Sequence, residues 1–138
     1  MFDFCADNKT IAEILKTAKT IAVVGLSDNE SRPSHQVAAY LQEQGYKIIP
    51  VNPMIESWMG EKSYSSLEDI AERVDVVDIF RKPEFVGEIM DQAIKIDAKV
   101  VWMQEGIVNE KAAQKGRDAG LTVVMDRCLM KEHKKLFK

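Results

Sequence analysis

Four short stretches of this 138-residue chain carry groups suited to holding an anion. They are Gly25-Leu26-Ser27 with Arg32-Pro33-Ser34, then Asn52-Pro53, Phe80-Arg81-Lys82-Pro83 and Gln104-Glu105-Gly106-Ile107. Each set begins at the end of an apolar run. Glycine lets backbone N–H groups come close to a ligand, and an arginine beside them adds a charge-assisted contact worth roughly 1.5–3 kcal/mol to a phosphate. Leu26, Phe80 and Ile107 supply apolar edges. Together they suit a ligand with a flat base, several phosphates and a long neutral arm. Bond-making chemistry is not indicated. His35 and His133 have no Cys, Asp or Ser partner at a spacing that makes a metal site or a nucleophile, so no catalytic and no metal-ligating residue is expected.

For these stretches to act together, the elements between them must deliver them to one edge. Ile21-Ala22-Val23-Val24 is apolar on both sides, as a central parallel strand should be. Gly25 ends it, a helix is predicted from about Ser34 to Gln44 with Gly45 as its stop, and a second strand follows over Lys47 to Val51. Such a β-α-β opening puts the first loop and the amino end of the helix at the carboxyl edge of a sheet, where phosphates bind. Before it, Asn8 to about Lys19 reads as a helix. After it, Pro53 to Ser66 reads as irregular, and Ser66 opens a short helix to about Glu72. Strands over Asp75 to Phe80, Ala98 to Met103 and Leu121 to Met125 alternate with helices starting near Pro83, Asn109 and Cys128. The pattern predicts an α/β chain, residues 1–138 as a single doubly wound Rossmann-like domain. A five-stranded parallel sheet in the order 3-2-1-4-5, with helices on both faces, is expected.

Composition narrows the partners. A net charge of −3 argues against a broad nucleic-acid surface, although two or three local cations suffice for a small anion. No apolar stretch approaches the roughly 20 residues that cross a bilayer. Met1-Phe2-Asp3-Phe4-Cys5 has neither the basic region nor the apolar core of a secretion signal. Cys5 and Cys128 do not make a disulfide scaffold for a chain of this size. A cytoplasmic protein with reduced thiols is expected, without membrane or nucleic-acid partners.

Two common nucleotide motifs are missing. A NAD fingerprint needs three glycines spaced G-x-G-x-x-G and an acidic residue about 20 positions on. Here Gly25 stands alone and the second strand runs into Val51-Asn52-Pro53, with no acid. No G-x-x-x-x-G-K-[ST] occurs either, which removes the P-loop reading.

The same stretches resemble the small stand-alone coenzyme A-binding proteins, whose domain is similar to that of the succinyl-CoA synthetase α subunit. The likeness is carried by Val24-Gly25-Leu26-Ser27 with Arg32-Pro33-Ser34, Gly45-Tyr46 with Pro50-Val51-Asn52-Pro53, and Val74-Asp75-Val76-Val77-Asp78 with Phe80-Arg81-Lys82-Pro83. It continues through Val101-Trp102-Met103-Gln104, Gly106-Ile107 and Asp126-Arg127-Cys128, from about Thr10 to Leu136. The resemblance implies a Rossmann-like domain that binds coenzyme A without an established catalytic group. It implies that Gly25, Leu26, Ser27, Arg32 and Ser34 meet the phosphates and adenosine, and that Asn52 and Pro53 bound the adenine and ribose side. Phe80, Arg81 and Pro83 would flank the nucleotide or the pantetheine arm. Gln104, Glu105, Gly106 and Ile107 would line the arm's exit, with the Glu105 side chain turned away from a polyanion.

Single residues carry competing readings. Trp102, inside an apolar strand, is expected in the core. Cys128 is expected as a buried small hydrophobe, against the alternative of a thiol that forms a mixed disulfide with coenzyme A. His35 is expected to be solvated at the helix start, and the lysine-rich tail to form a surface helix. Coenzyme A or an acyl-CoA is the expected ligand, bound by a carrier, sensor or partner chain. The alternatives are an NAD(P)-dependent oxidoreductase-like enzyme and a subunit of an acyl-CoA ligase. A homodimer or a partner protein remains compatible with the apolar residues near both termini.

Overall fold

The structure, a computed structural model, describes residues 7–137. Met1–Ala6, and with them Cys5 and the reading of the amino terminus, lie outside the described residues.

Local chemistry starts and stops the elements. Helix α1, Asn8–Thr17, is capped by Asp7, whose carboxylate accepts from the Thr10 amide at 2.8 Å. Strand β1 is Thr20–Val24, α2 is Pro33–Glu43 with proline in its first turn, and β2 is Lys47–Val51. The connection expected to be irregular contains a two-stranded antiparallel ribbon, β3 (Ser57–Trp58) and β4 (Glu61–Lys62). Ser66 caps only a single tight turn, Leu67–Asp69, shorter than the helix expected there. Strand β5, Val76–Ile79, leads through a turn at Pro83–Phe85 into α3, Val86–Lys95. Strand β6 is Val100–Met103, and α4, Glu110–Asp118, is capped by Asn109 accepting from the Ala112 amide at 2.9 Å. Strand β7 is Thr122–Val124 and α5 is Leu129–Leu136.

The five long strands are all parallel, but their order is not the expected 3-2-1-4-5. They lie β2-β1-β5-β6-β7, which in chain order is 2-1-3-4-5. The third strand pairs with the first, Ile21 beside Val76 through Val24 beside Ile79. The outer edge of β2 is taken by the segment after the ribbon: Tyr64 accepts from the Asn52 amide at 2.8 Å and donates to the Pro50 carbonyl at 3.0 Å. With that edge occupied, the chain crosses over β1 before re-entering the sheet. Apolar runs alone do not encode this choice, because β1 is buried on both edges in either order.

Alternate residues of each strand feed two cores. Ile21, Val23 and Trp102 pack with Leu15, Val37, Leu41 and Leu129 under α1, α2 and α5. Ala22, Val24, Val77 and Met103 pack with Met90, Ala93 and Ala113 under α3 and α4. Trp102 is fully buried, as expected, and its indole N–H donates to the Arg127 carbonyl at 2.8 Å. The tail helix is more than a surface element. Leu129 and His133 are buried, and His133 Nδ1 lies 2.7 Å from the Tyr40 hydroxyl while its ring meets Tyr46 edge-on and stacks at a tilt on Phe137.

Burial pushes the His133 imidazole below its usual range. A depressed folded-state value means that this contribution to stability is complete above about pH 6.5 and is lost as pH falls through the folded-state value. Thermal unfolding from pH 7.5 to 4.5 should therefore show an acid-side loss that is reduced in His133→Asn. Identical slopes for the two proteins would show that His133 does not couple the docking of α5 to protons.

Candidate functional site

The order 2-1-3-4-5 places the topological switch between β1 and β5, because the chain leaves their carboxyl ends toward opposite sides. Gly25 stands there with φ +90°, and its amide donates to the Val51 carbonyl at 2.9 Å. A Cβ added at Gly25 would lie 2.8 Å from the Phe80 carbonyl oxygen and 3.0 Å from Arg81 Cδ. Only a residue without a side chain lets these two strand ends close. Above them is an open cavity of about 330 Å³ lined by Gly25, Ser27, Arg32, Pro33, Ser34 and Phe80.

The loop from Ser27 to Ser34 is braced by short polar bonds. The Ser27 amide donates to Ser34 Oγ at 3.0 Å, the Asn29 amide to Ser27 Oγ at 3.0 Å, and the Ser31 amide to Asn29 Oδ1 at 3.0 Å. These are the local side-chain-to-backbone turns that serine and asparagine favour. They fix the approach to α2, whose N-cap, Arg32, makes no side-chain hydrogen bond to the helix. The first turn of this 11-residue helix, Pro33 and Ser34, lines the cavity, and no side-chain cap compensates its dipole. Arg32 is exposed beside them, without an ion-pair partner among the described residues. Arg81 runs its stem past Gly25 and sets its guanidinium over the Phe85 ring, 4.5 Å from the centroid. Pro83 is exposed at the head of the turn that carries Phe85.

Other predicted residues frame the cavity instead of lining it. Leu26 is fully buried, so its side chain belongs to the core and not to an apolar edge, a correction to the sequence reading. Asn52 is a bracket: its Nδ2 donates to the Leu26 carbonyl at 2.9 Å and its Oδ1 accepts from the Met54 amide at 2.8 Å. Pro53 is exposed next to it. His35 is half-buried, not solvated. Its Nδ1 lies 3.0 Å from the Trp58 indole nitrogen and 3.1 Å from the Ser27 carbonyl oxygen.

The fourth predicted stretch divides. Gln104 is buried, and its Nε2 donates to Asp78 Oδ1 at 2.7 Å. Glu105 turns outward to pair with Lys131 at 2.9 Å. The Gly106 amide donates to Asp126 Oδ1 at 2.7 Å, and Ile107 packs against the core under α3 and α4. A second cavity, of about 280 Å³, lies on this side between Glu105, Asp126, Arg127, Cys128 and Lys131. Cys128 is buried, and burial together with the charges of Glu105 and Asp78 pushes its thiol up. It behaves as the small hydrophobe expected, not as a thiolate.

Asp78, to which the sequence reading gives no role, stands in β5 below this edge. It is wholly buried in β5, its Oδ2 has no hydrogen-bond partner, and burial pushes its carboxyl up to about 7. Its signal was available: an acid within Val76-Val77-Asp78-Ile79 breaks an otherwise apolar strand. No cluster of three or more His, Cys, Asp or Glu able to hold a metal occurs among the described residues. None of their helices is long and apolar enough to cross a membrane.

Comparison with known proteins gives a consistent set of likenesses. The family model described as "CoA binding domain" matches residues 19–134. The uncharacterized protein YneT of Bacillus subtilis is 46% identical over 123 residues, 89% of this chain and 91% of that protein. The solved structure of a hypothetical protein from Pyrococcus horikoshii superposes with a TM-score of 0.94 at 42% identity, over 100% of both chains. An ADP-forming acetate–CoA ligase II of Archaeoglobus fulgidus is 34% identical over 74 residues, which is 52% of this chain but 11% of the ligase.

Two measurements test this geometry. Gly25→Ala should destabilise the fold by on the order of 2 kcal/mol or more in denaturant titrations, since it adds both a disfavoured backbone conformation and a clash with backbone. Stability within a few tenths of a kcal/mol of the original would mean that the β1–β5 contact is not tight. Asp78 titrates near 3.8 when unfolded and near 7 when folded, so stability should fall as pH rises through that window, by on the order of 4 kcal/mol at its end. Asp78→Asn should flatten this fall and melt higher than the original protein at pH 8. A lower melting point at pH 8 would contradict the buried-acid reading.

Proposed function

The chain belongs to the family of CoA binding domains, and from that membership we propose that it binds coenzyme A or an acyl-CoA at the carboxyl edge of the sheet, without catalytic chemistry of its own. The observation that carries the reading is the cradle over Gly25: uncapped first-turn amides of α2, Arg32 beside them, and a braced loop in front. Fixed amides and a helix dipole fit phosphate groups. Arg81, held over Phe85, stands on the other side of Gly25 and supplies a second cation to the nucleotide end. Asn52 acts by holding the first two loops together, and Pro53 borders the adenine side. Phe80 and Pro83 border the arm, whose exit runs past Gly106 and Ile107. A dinucleotide fits less well, because both ends of the Asn52 amide bond protein groups where a ribose-binding acid would be needed.

The role that follows is a carrier, a sensor or a partner chain. The partial likeness to an ADP-forming ligase supports a second reading, in which the chain holds coenzyme A for a separate catalytic chain. The two differ in whether binding needs that chain.

Thermal unfolding with coenzyme A, acetyl-CoA, dephospho-CoA, NAD and NADP in turn separates these readings. At ligand about 100-fold above its dissociation constant, stabilisation should approach roughly 2.7 kcal/mol for coenzyme A. A shift with NAD and none with coenzyme A reverses the ranking of ligands. Arg32→Ala and Arg81→Ala should each weaken coenzyme A about tenfold or more and make the remaining affinity less sensitive to salt. Unchanged titration curves would remove both from the site.

A further inference from the structure

We propose that Asp78 is a positioning residue for the ligand at this edge, holding the Gln104–Ile107 loop beside the cradle and taking up a proton when the ligand's phosphates arrive. The proposal rests on the coenzyme A reading above.

The geometry starts with register. Asp78 lies between Val23 of β1 and Trp102 of β6, two residues before Phe80, whose carbonyl closes on Gly25. It therefore lies at the switch point, beneath the cradle. Its Oδ1 accepts from Gln104 Nε2, and Gln104 in turn accepts the Ile107 amide at 2.9 Å. Asp78 thus ties the base of one site loop to the strand that carries another. Its Oδ2 is the buried side-chain oxygen or nitrogen left without a partner among the described residues. A buried carboxylate with one donor is poorly compensated, whereas the neutral acid keeps the Gln104 bond at Oδ1 and has no charge to desolvate.

Around Asp78 the Gln104 amide is the group that meets a negative charge. Beta-1 presents Val23 and β6 presents Trp102 and Gln104. From the start of α5 comes the Cys128 thiol, close enough to respond to the Asp78 charge. Lys131 pairs with Glu105 and Arg127 with Glu132, while Arg32 and Arg81 stand exposed at the cradle. A polyphosphate settling over Gly25 and Phe80 brings more charge of the same sign, and like charge favours the protonated acid. The free carboxyl titrates at about 7, so at neutral pH a charged fraction is present to be neutralised. Binding and proton uptake are then linked, and the charged form resists the ligand.

Calorimetric titration of coenzyme A into the protein and into Asp78→Asn, from pH 6 to 9 in two buffers of different ionisation enthalpy, tests this. Near pH 7.5 the original protein should take up a measurable fraction of a proton more than the variant. Its affinity should also fall about tenfold further than the variant's across that range, if the bound ligand raises the Asp78 midpoint by one pH unit. Titration of the ligand's own phosphate and thiol is common to both arms and cancels. Equal proton counts with parallel affinity profiles would overturn the role of Asp78 while leaving the coenzyme A reading intact. No binding heat or thermal shift with either protein would overturn both. Independently of any variant, the aspartate carboxyl carbons can be followed by ¹³C spectra with and without coenzyme A. The Asp78 midpoint should rise on saturation, and an unmoved midpoint would refute the proposal.

Discussion

The close approach of Gly25 to the Phe80 carbonyl is the contact on which the rest of this edge depends. Adjacent strands rotate relative to one another as a sheet twists, so how closely their ends approach depends on the residues that stand there. Here the missing Cβ and a positive φ let β1 turn directly over the end of β5. The consequences run outward. The loop to α2 leaves at a fixed angle, the Ser27–Ser34 braces can form, and the first turn of α2 faces the space above Phe80. Arg81 follows from the same contact, since its stem runs past Gly25 before its head reaches Phe85.

Much of the fold was readable because its elements obey local rules. The two-sided apolar runs marked the parallel strands, Asn109 marked a helix start, and the glycines after α2 and α4 marked helix stops. Strand order was not readable. It depends on what covers the outer edge of β2, and that is decided by Tyr64 bonding across to Pro50 and Asn52. No period or cap signal in Pro53–Ser66 announces a ribbon of two-residue strands. Tertiary pairing, not propensity, set the topology.

The candidate site shows the same division. Glycine and arginine at a strand end carry meaning by type, and Gly25, Ser27, Arg32, Ser34 and Phe80 come together around one cavity. Leu26, Asn52 and Gln104 were placed near the site by sequence, yet their work is internal: one fills the core, one brackets two loops, one supports an acid. Such roles depend on partners far along the chain, 26 residues away for both Asn52 with Leu26 and Gln104 with Asp78. A motif records that a residue type is present at a loop. It does not record whether the polar atoms face a ligand or the protein.

Asp78 is where local and global demands conflict. A strand buried on both faces gains from an apolar side chain at every position, and each neighbour in β5 is one. An acid there costs stability unless it stays protonated, and a core valine would carry no such condition. Conflicts of this kind, where a sequence departs from what its fold alone would select, concentrate at functional places in proteins. The position of this one argues in the same direction. It lies neither at the sheet's opposite edge nor under a distant helix, but at the strand pair where the chain reverses its winding, with its one hydrogen bond running to a loop that borders the cradle. Stability alone accounts for the valines beside it; the proposed link between ligand and proton gives the acid a reason to be there.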